Sequence, residues 1–207
     1  PNMEAGAMLR DAIVKRALDG YPVIYPTPNL PALGCIPTTE ALDRLYELKE
    51  RTPEMKVSLA VADLKQAAEI VNIYPNVVKL LSDFSPSSLT LVLPALEQMD
   101  ERVGGNEIAV RVIDTPISQQ LLKRVGPLTA TSANLSGIEP ETDCESAALS
   151  LNLDSDAVIA SDCSGEPPST LIRCDDYAGL MSGEQLQVLR EGIVSKSEVM
   201  AWSMKMN

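Results

Sequence analysis

Apolar positions fall at helical spacing from Glu4 to Leu18 (Met8, Ala12, Ile13, Ala17), and the run stops at Gly20, a residue suited to the left-handed turn that ends a helix. Val23–Tyr25 is a short apolar run closed by Pro26, the pattern of a buried strand. Thr38 or Thr39 can cap a helix running to about Lys49, with Ala41, Leu42, Leu45 and Leu48 on one face. Val57–Ala62 is a strand, and Asp63 caps a helix reaching Val71. A helix around Asn76–Ser82 leads to the strand Leu89–Leu93. A second buried strand, Ile108–Val112, is interrupted by Arg111 and followed by a helix over Pro116–Arg124. The strand Leu128–Thr131 then runs into the small-residue turn Ser132–Gly137. Thr142–Leu151 is helical, Ala157–Ala160, Ser169–Arg173 and Leu186–Leu189 are strands, and Glu198–Met204 forms a short terminal helix. Strands separated by helices predict an α/β fold: one domain with a twisted, mixed parallel and antiparallel sheet and helices on its faces.

Composition narrows the chemistry. At 207 residues and 45% apolar, the chain can fill one core. It has no apolar run near the ~20 residues that cross a bilayer, and its start lacks a secretion pattern, so a cytoplasmic protein without a membrane partner is expected. Cys35, Cys144, Cys163 and Cys174 are widely spaced and contain no C-x-x-C pair, which reads first as thiols in a reducing compartment and otherwise as disulfides or a metal site. Histidine is absent. Ser-His-Asp and Cys-His nucleophile systems are thereby excluded, and most zinc sites lose their usual ligand. With 29 acids against 17 bases, the net charge of −12 argues against a surface that coats nucleic acid. Cations in apolar or small-residue settings therefore stand out: Lys49, Arg51, Lys56, Arg111 and Arg190.

Arg111 needs an anion, because an unpaired buried charge is too costly. That anion is either a structural carboxylate or a ligand. Ser132-Ala133-Asn134-Leu135-Ser136-Gly137 is either an ordinary turn or a cradle whose backbone N–H groups and hydroxyls approach a phosphate or carboxylate. Lys49, Arg51 and Lys56 are either a solvated helix end favoured by the macrodipole or part of an anion site.

Several segments together carry a resemblance. They are Y-P-T at 25–27 with L-G-C at 33–35, L-Y-E-L-K-E-R at 45–51 with Lys56 behind it, and L-T-L-V-L at 89–93. I-A-V-R-V at 108–112, T-S-A-N-L-S-G at 131–137, P-S-T-L-I at 168–172 and V-L-R-E-G at 188–192 complete the set. In this order and spacing the chain resembles the YrdC-like family of threonylcarbamoyl-AMP synthases, in its short form. The resemblance implies a domain over residues 5–195 with a large concave cleft, and a tail over 196–207 able to form a short helix. It implies ATP with Mg²⁺, L-threonine and bicarbonate as substrates, and threonylcarbamoyl-AMP and pyrophosphate as products. It also implies a partner transferase that uses the adenylate for tRNA threonylcarbamoyl-adenosine modification, and leaves room for contact with tRNA or double-stranded RNA. By the same resemblance Lys49 and Lys56 are the catalytic cations. Arg51, Lys56, Ser132, Asn134 and Arg190 hold ATP, while Thr27, Asn29, Arg111, the Ala130 backbone and Ser169 hold threonine. No metal ligands are assigned.

The departures fall in the segments expected to line the cleft. Pro28-Asn29-Leu30-Pro31-Ala32 replaces the family's acidic or polar residue, Thr, and later aromatic and Gly; Pro86-Ser87-Ser88 replaces P-G-P. Thr52 and Val57 stand where the family has prolines. Two prolines in the 28–32 loop fix φ and remove N–H donors, so weak threonine use with ATP binding retained is expected. The alternative class is a diverged, non-catalytic relative that binds a nucleotide or structured RNA; a relative acting on another amino acid is a third.

Overall fold

The computed structural model describes residues 8–85, 87–174 and 186–206. Helix α1 spans Asp11–Leu18 and buries Ile13, Val14 and Ala17. It starts later than the periodicity indicated, and the expected residues 4–7 lie outside the described residues. Strand β1 (Val23–Pro26) turns back into β2 (Pro31–Gly34), an element the two flanking prolines concealed. Pro31 is the first residue of β2 and sits opposite Pro26, while Tyr25 pairs with Ala32, so little ladder bonding is lost. Gly34 is required because a Cβ there would lie 2.6 Å from the Tyr25 ring and 2.7 Å from the Thr129 carbonyl oxygen. Helix α2 (Thr39–Lys49) is capped by Thr38, whose hydroxyl accepts from the Ala41 N–H, and it closes on left-handed Glu50.

Strand β3 covers only Leu59–Val61. Asp63 caps helix α3 as read, but α3 ends after Leu64–Ala67, because Val71 is drawn into a bridge with Ala95. Helix α4 is Pro75–Asp83, with proline in its first turn where no donor is needed. Strands β4 (Leu89–Pro94) and β5 (Glu107–Val112) pair antiparallel, and helix α5 follows over Pro116–Val125. The single expected strand at 128–131 is two: β6 (Leu128–Thr129) and β7 (Thr131–Ser132). They belong to different sheets, with Ala130 at the corner donating its N–H to the Ser58 carbonyl at 2.9 Å. Helix α6 is Cys144–Ser150. The strand expected at 157–160 is instead a short 3₁₀ turn, Ser155–Ala157, and one bridge from Val158 to Ile24. Strands β8 (Thr170–Cys174) and β9 (Leu186–Arg190) complete the sheet.

The larger sheet has the order β6-β3-β5-β4-β8-β9, mixed parallel and antiparallel, and the smaller is β1-β2-β7. The last helix, α7 (Lys196–Lys205), carries a capping box from Ser195 and Glu198. Its Val199 and Trp202 join the main core, and the Trp202 indole donates to Asp83 at 2.8 Å, so residues 196–205 form a short helix that packs on the core. No disulfide joins the four cysteines. Among the described residues no helix is long and apolar enough to cross a membrane.

Candidate functional site

Period-two alternation decides what faces the cleft. Leu89, Leu91, Leu93, Ile108, Val110, Ile172 and Cys174 point into the core. Their alternates Thr90, Val92, Ala109, Arg111, Leu171 and Arg173 line a cavity of about 540 Å³. Register brings Thr90 beside Leu171 and Val92 beside Arg173. The 27–32 loop forms one wall of the cavity; Arg51, Lys56, Val57 and Ser58 form another, and Ala130–Ser132 cross between them.

Arg111 is held from two sides. Its Nε donates to the Ser87 carbonyl at 2.8 Å and one Nη2 hydrogen to Asn29 Oδ1, also at 2.8 Å. It forms no ion pair among the described residues, and burial lowers its pKa from 12.5 to about 10. The three other guanidinium hydrogens therefore remain for a ligand in the cavity. Arginine can only donate, so the Asn29 oxygen must face it, and the Asn29 NH₂ is the group left to turn elsewhere. Thr27 completes this corner, with its hydroxyl 2.7 Å from the Leu30 carbonyl and 2.9 Å from Asn29 Oδ1. Arg190 donates to the Ser169 carbonyl at 2.9 Å, and burial lowers its pKa. The Ser169 hydroxyl lies 2.6 Å from that of Thr90.

The opposite end is looser. Arg51 donates to the carbonyls of Met55 and Lys56, both at 2.8 Å and both exposed. These bonds fold the 51–56 loop so that Arg51 and Lys56 border the cavity. Arg173 and Glu107, also on the wall, are paired at 3.6 Å. Among the described residues five Lys or Arg and one carboxylate line the cavity, so a chain of net charge −12 concentrates positive charge where anions would enter.

Lys49 and Asn134 are the two expected site residues that do not line this cavity. Lys49 lies on the buried face of α2 and is 1% exposed. Its ammonium donates to the Ser132 carbonyl and, at 2.8 Å, to that of Asn134. The Asn134 amide donates to the Leu135 and Ile138 carbonyls at 2.8 and 2.6 Å, and its Oδ1 accepts from the Ser132 hydroxyl. The expected catalytic lysine and ATP-binding asparagine thus spend their polar groups inside the turn. They shape it from behind, and Ser132 alone of the three reaches the wall. Thr27, Asn29, Arg51, Lys56, Arg111, Ala130, Ser132, Ser169 and Arg190 are all brought together there. Sequence reading missed Thr90, Glu107 and Arg173; their position in the alternation of β4, β5 and β8 was the available signal.

A twisted sheet with one face in the core and a concave, cation-lined opposite face defines an anion-binding α/β protein. The chain belongs to the family described as Telomere recombination, the Sua5/YciO/YrdC domain, matched over residues 16–192. It is 29% identical over 189 residues to the threonylcarbamoyl-AMP synthase of Vibrio parahaemolyticus, covering 88% of this chain and 98% of that relative. It is 31% identical over 209 residues to the threonylcarbamoyl-AMP synthase of Bacillus subtilis, covering 96% of this chain and 55% of that one. The fold superposes on Sua5 of P. abyssi complexed with L-threonine (TM-score 0.76, 23% identity, 91% of this chain and 55% of that one). It also superposes on YciO of E. coli (TM-score 0.69, 25% identity, 87% of each chain). The chain therefore spans about half the length of the B. subtilis relative and of the P. abyssi structure.

Proposed function

We propose that the protein is an ATP-dependent threonylcarbamoyl-AMP synthase, acting on L-threonine, bicarbonate and ATP in the first step of tRNA threonylcarbamoyl-adenosine modification. One observation carries this reading most: the half-buried Arg111 guanidinium, without an ion-pair partner among the described residues, lines a cavity bordered at its far end by Arg51 and Lys56. Such a group fits a small carboxylate at one end of the cavity while a polyphosphate lies at the other.

In this mechanism threonine and bicarbonate condense to a carbamate with loss of water. A carbamate oxygen then attacks the α-phosphorus of ATP, and the bond to pyrophosphate breaks. Arg111 holds the threonine carboxylate, with the Asn29 amide, Thr27, Ser169 and the Ala130 backbone beside it. Arg51, Lys56 and Ser132 hold the phosphates at the far end, and Arg190, on the Arg111 side beside Ser169, faces the α-phosphate where the two anions meet and offsets their repulsion. Lys49, by its place behind the turn, is a positioning residue and not a group that touches substrate. Mg²⁺ would neutralise phosphate charge. Among the described residues Glu107 is the one carboxylate on the wall and already faces Arg173, and no cluster of three metal-binding side chains occurs among them. That donor set fits an ion arriving on the triphosphate better than a resident one. A separate transferase would take the product to tRNA in the cytoplasm.

The test is incubation with ATP, Mg²⁺, bicarbonate and L-threonine, with the adenylate read by mass spectrometry and pyrophosphate by a coupled assay. Both products should require threonine and bicarbonate together. ATP turnover indifferent to threonine would refute the assignment.

A further inference from the structure

The residue bracing Arg111 from below is itself unusual. Ser87 has φ 64°, a left-handed backbone that non-glycine residues seldom keep without compensation. It is 5% exposed. Its hydroxyl lies 2.8 Å from the Val112 carbonyl and 2.7 Å from Asp114 Oδ1, and it accepts the Asp114 N–H at 3.0 Å. Its own carbonyl receives Arg111 Nε. One residue is therefore bonded on its side-chain face to Asp114 and on its backbone face to Arg111. Asp114 is the carboxylate whose charge acts on Arg111, yet the two form no ion pair.

We propose that Ser87 is a positioning residue that keeps Arg111 open to the substrate carboxylate by holding Asp114 in a competing hydrogen bond. The inference rests on the amino-acid site described above and adds a specific reason why that site stays empty of an internal anion. A half-buried guanidinium that feels the charge of a carboxylate is open to pairing with it, and a paired Arg111 would be a poor ligand for threonine. The left-handed backbone is the geometry that lets one residue face both groups. Removing the hydroxyl frees Asp114 to swing to Arg111, so the damage should be reversible by neutralising Asp114.

Two readouts test this on the full chain: L-threonine affinity by calorimetry, and the rate at which phenylglyoxal modifies Arg111 without ligand, followed by peptide mass spectrometry. Ser87→Ala should weaken threonine binding by about tenfold, on the scale of a lost charge-assisted bond, and slow Arg111 modification, with ATP affinity within about twofold. Ser87→Gly, which relieves the backbone but also frees Asp114, should show the same defect and serves if the alanine variant folds poorly. The double variant Ser87→Ala/Asp114→Asn should recover both readouts. Wild-type behaviour of Ser87→Ala and Ser87→Gly, or a double variant as impaired as Ser87→Ala, would overturn the proposal and leave Ser87 a structural residue. If the wild type binds no threonine while Arg111 modification still follows Ser87 and Asp114 in this way, the bracing of Arg111 stands and the substrate reading falls.

Discussion

The two ends of the cleft meet the same problem, holding an anion, with opposite constructions. At the Arg111 end the cation is half-buried, fixed by Ser87 and Asn29, and without an ion partner among the described residues. At the Arg51 end the guanidinium is bonded to the Met55 and Lys56 carbonyls of its own exposed loop and lies 5.9 Å from the centre of the Tyr46 ring. A fixed, desolvated charge suits a small ligand whose carboxylate must be placed accurately, since little ordering remains to be done on binding. A pair carried on an exposed loop, half-buried Arg51 and exposed Lys56, suits a polyphosphate, which offers many oxygens and tolerates adjustment. The difference teaches that one cleft can combine a rigid recognition point with an adaptable electrostatic one.

Arg111→Ala breaks the rigid end. Threonine affinity and threonine-dependent turnover should fall by tenfold or more, the loss of roughly 1.5–3 kcal/mol expected for a charge-assisted bond, while ATP affinity changes much less. Calorimetry with each ligand separates the two effects, and an equal loss of both would make Arg111 structural.

Lys49→Met removes the support behind the Ser132 turn, and ATP affinity should drop several-fold with threonine affinity less affected. It should also change the stability profile. Burial, with Arg51 nearby, lowers the Lys49 pKa from 10.5 to about 8. Between these values the unfolded chain binds a proton that the folded chain does not, so the Lys49 contribution to stability rises with pH across the window. Denaturant titrations from about pH 7.5 to 10.5 should show this rise in the wild type relative to Lys49→Met. Parallel curves would mean that the ammonium is not desolvated.

Salt sharpens the contrast more gently. Raising ionic strength from about 0.05 to 0.5 M should weaken ATP binding more than threonine binding, because exposed charges are screened and buried ones far less. Equal salt slopes would contradict the distinction between the ends.

The 28–32 loop should give the smallest change. Asn29 already supplies an acceptor to Arg111, so grafting Asp-Thr-Val-Tyr-Gly over residues 28–32 should raise threonine-dependent pyrophosphate release only modestly. A graft that abolishes it would show that Asn29 is indispensable to Arg111.

Most of the fold was legible because its strands are apolar runs and its helices have caps, as Thr38 and Asp63 show. What stayed hidden depended on tertiary context. Strand β2 begins at a proline, and the break at Ala130 comes from two sheets competing for one segment. Helix α3 ends early because Val71 finds a partner in Ala95. The site was legible as residue types and not as roles. Lys49 and Arg51 are two apart in sequence, yet helix geometry sends one into the core and leaves the other at the cavity. The bracing of Arg111 by Ser87, 24 positions away, has no signature in local pattern.

The most direct test is thermal denaturation of wild type and Arg111→Ala, each with ATP–Mg²⁺ alone and with L-threonine alone. A ligand that binds the folded state raises its melting temperature. Both ligands should stabilise the wild type, and Arg111→Ala should lose the threonine shift while keeping most of the ATP shift. A wild type stabilised by ATP alone, or a variant that keeps its threonine shift, would contradict a cleft divided between a phosphate end and an amino-acid end.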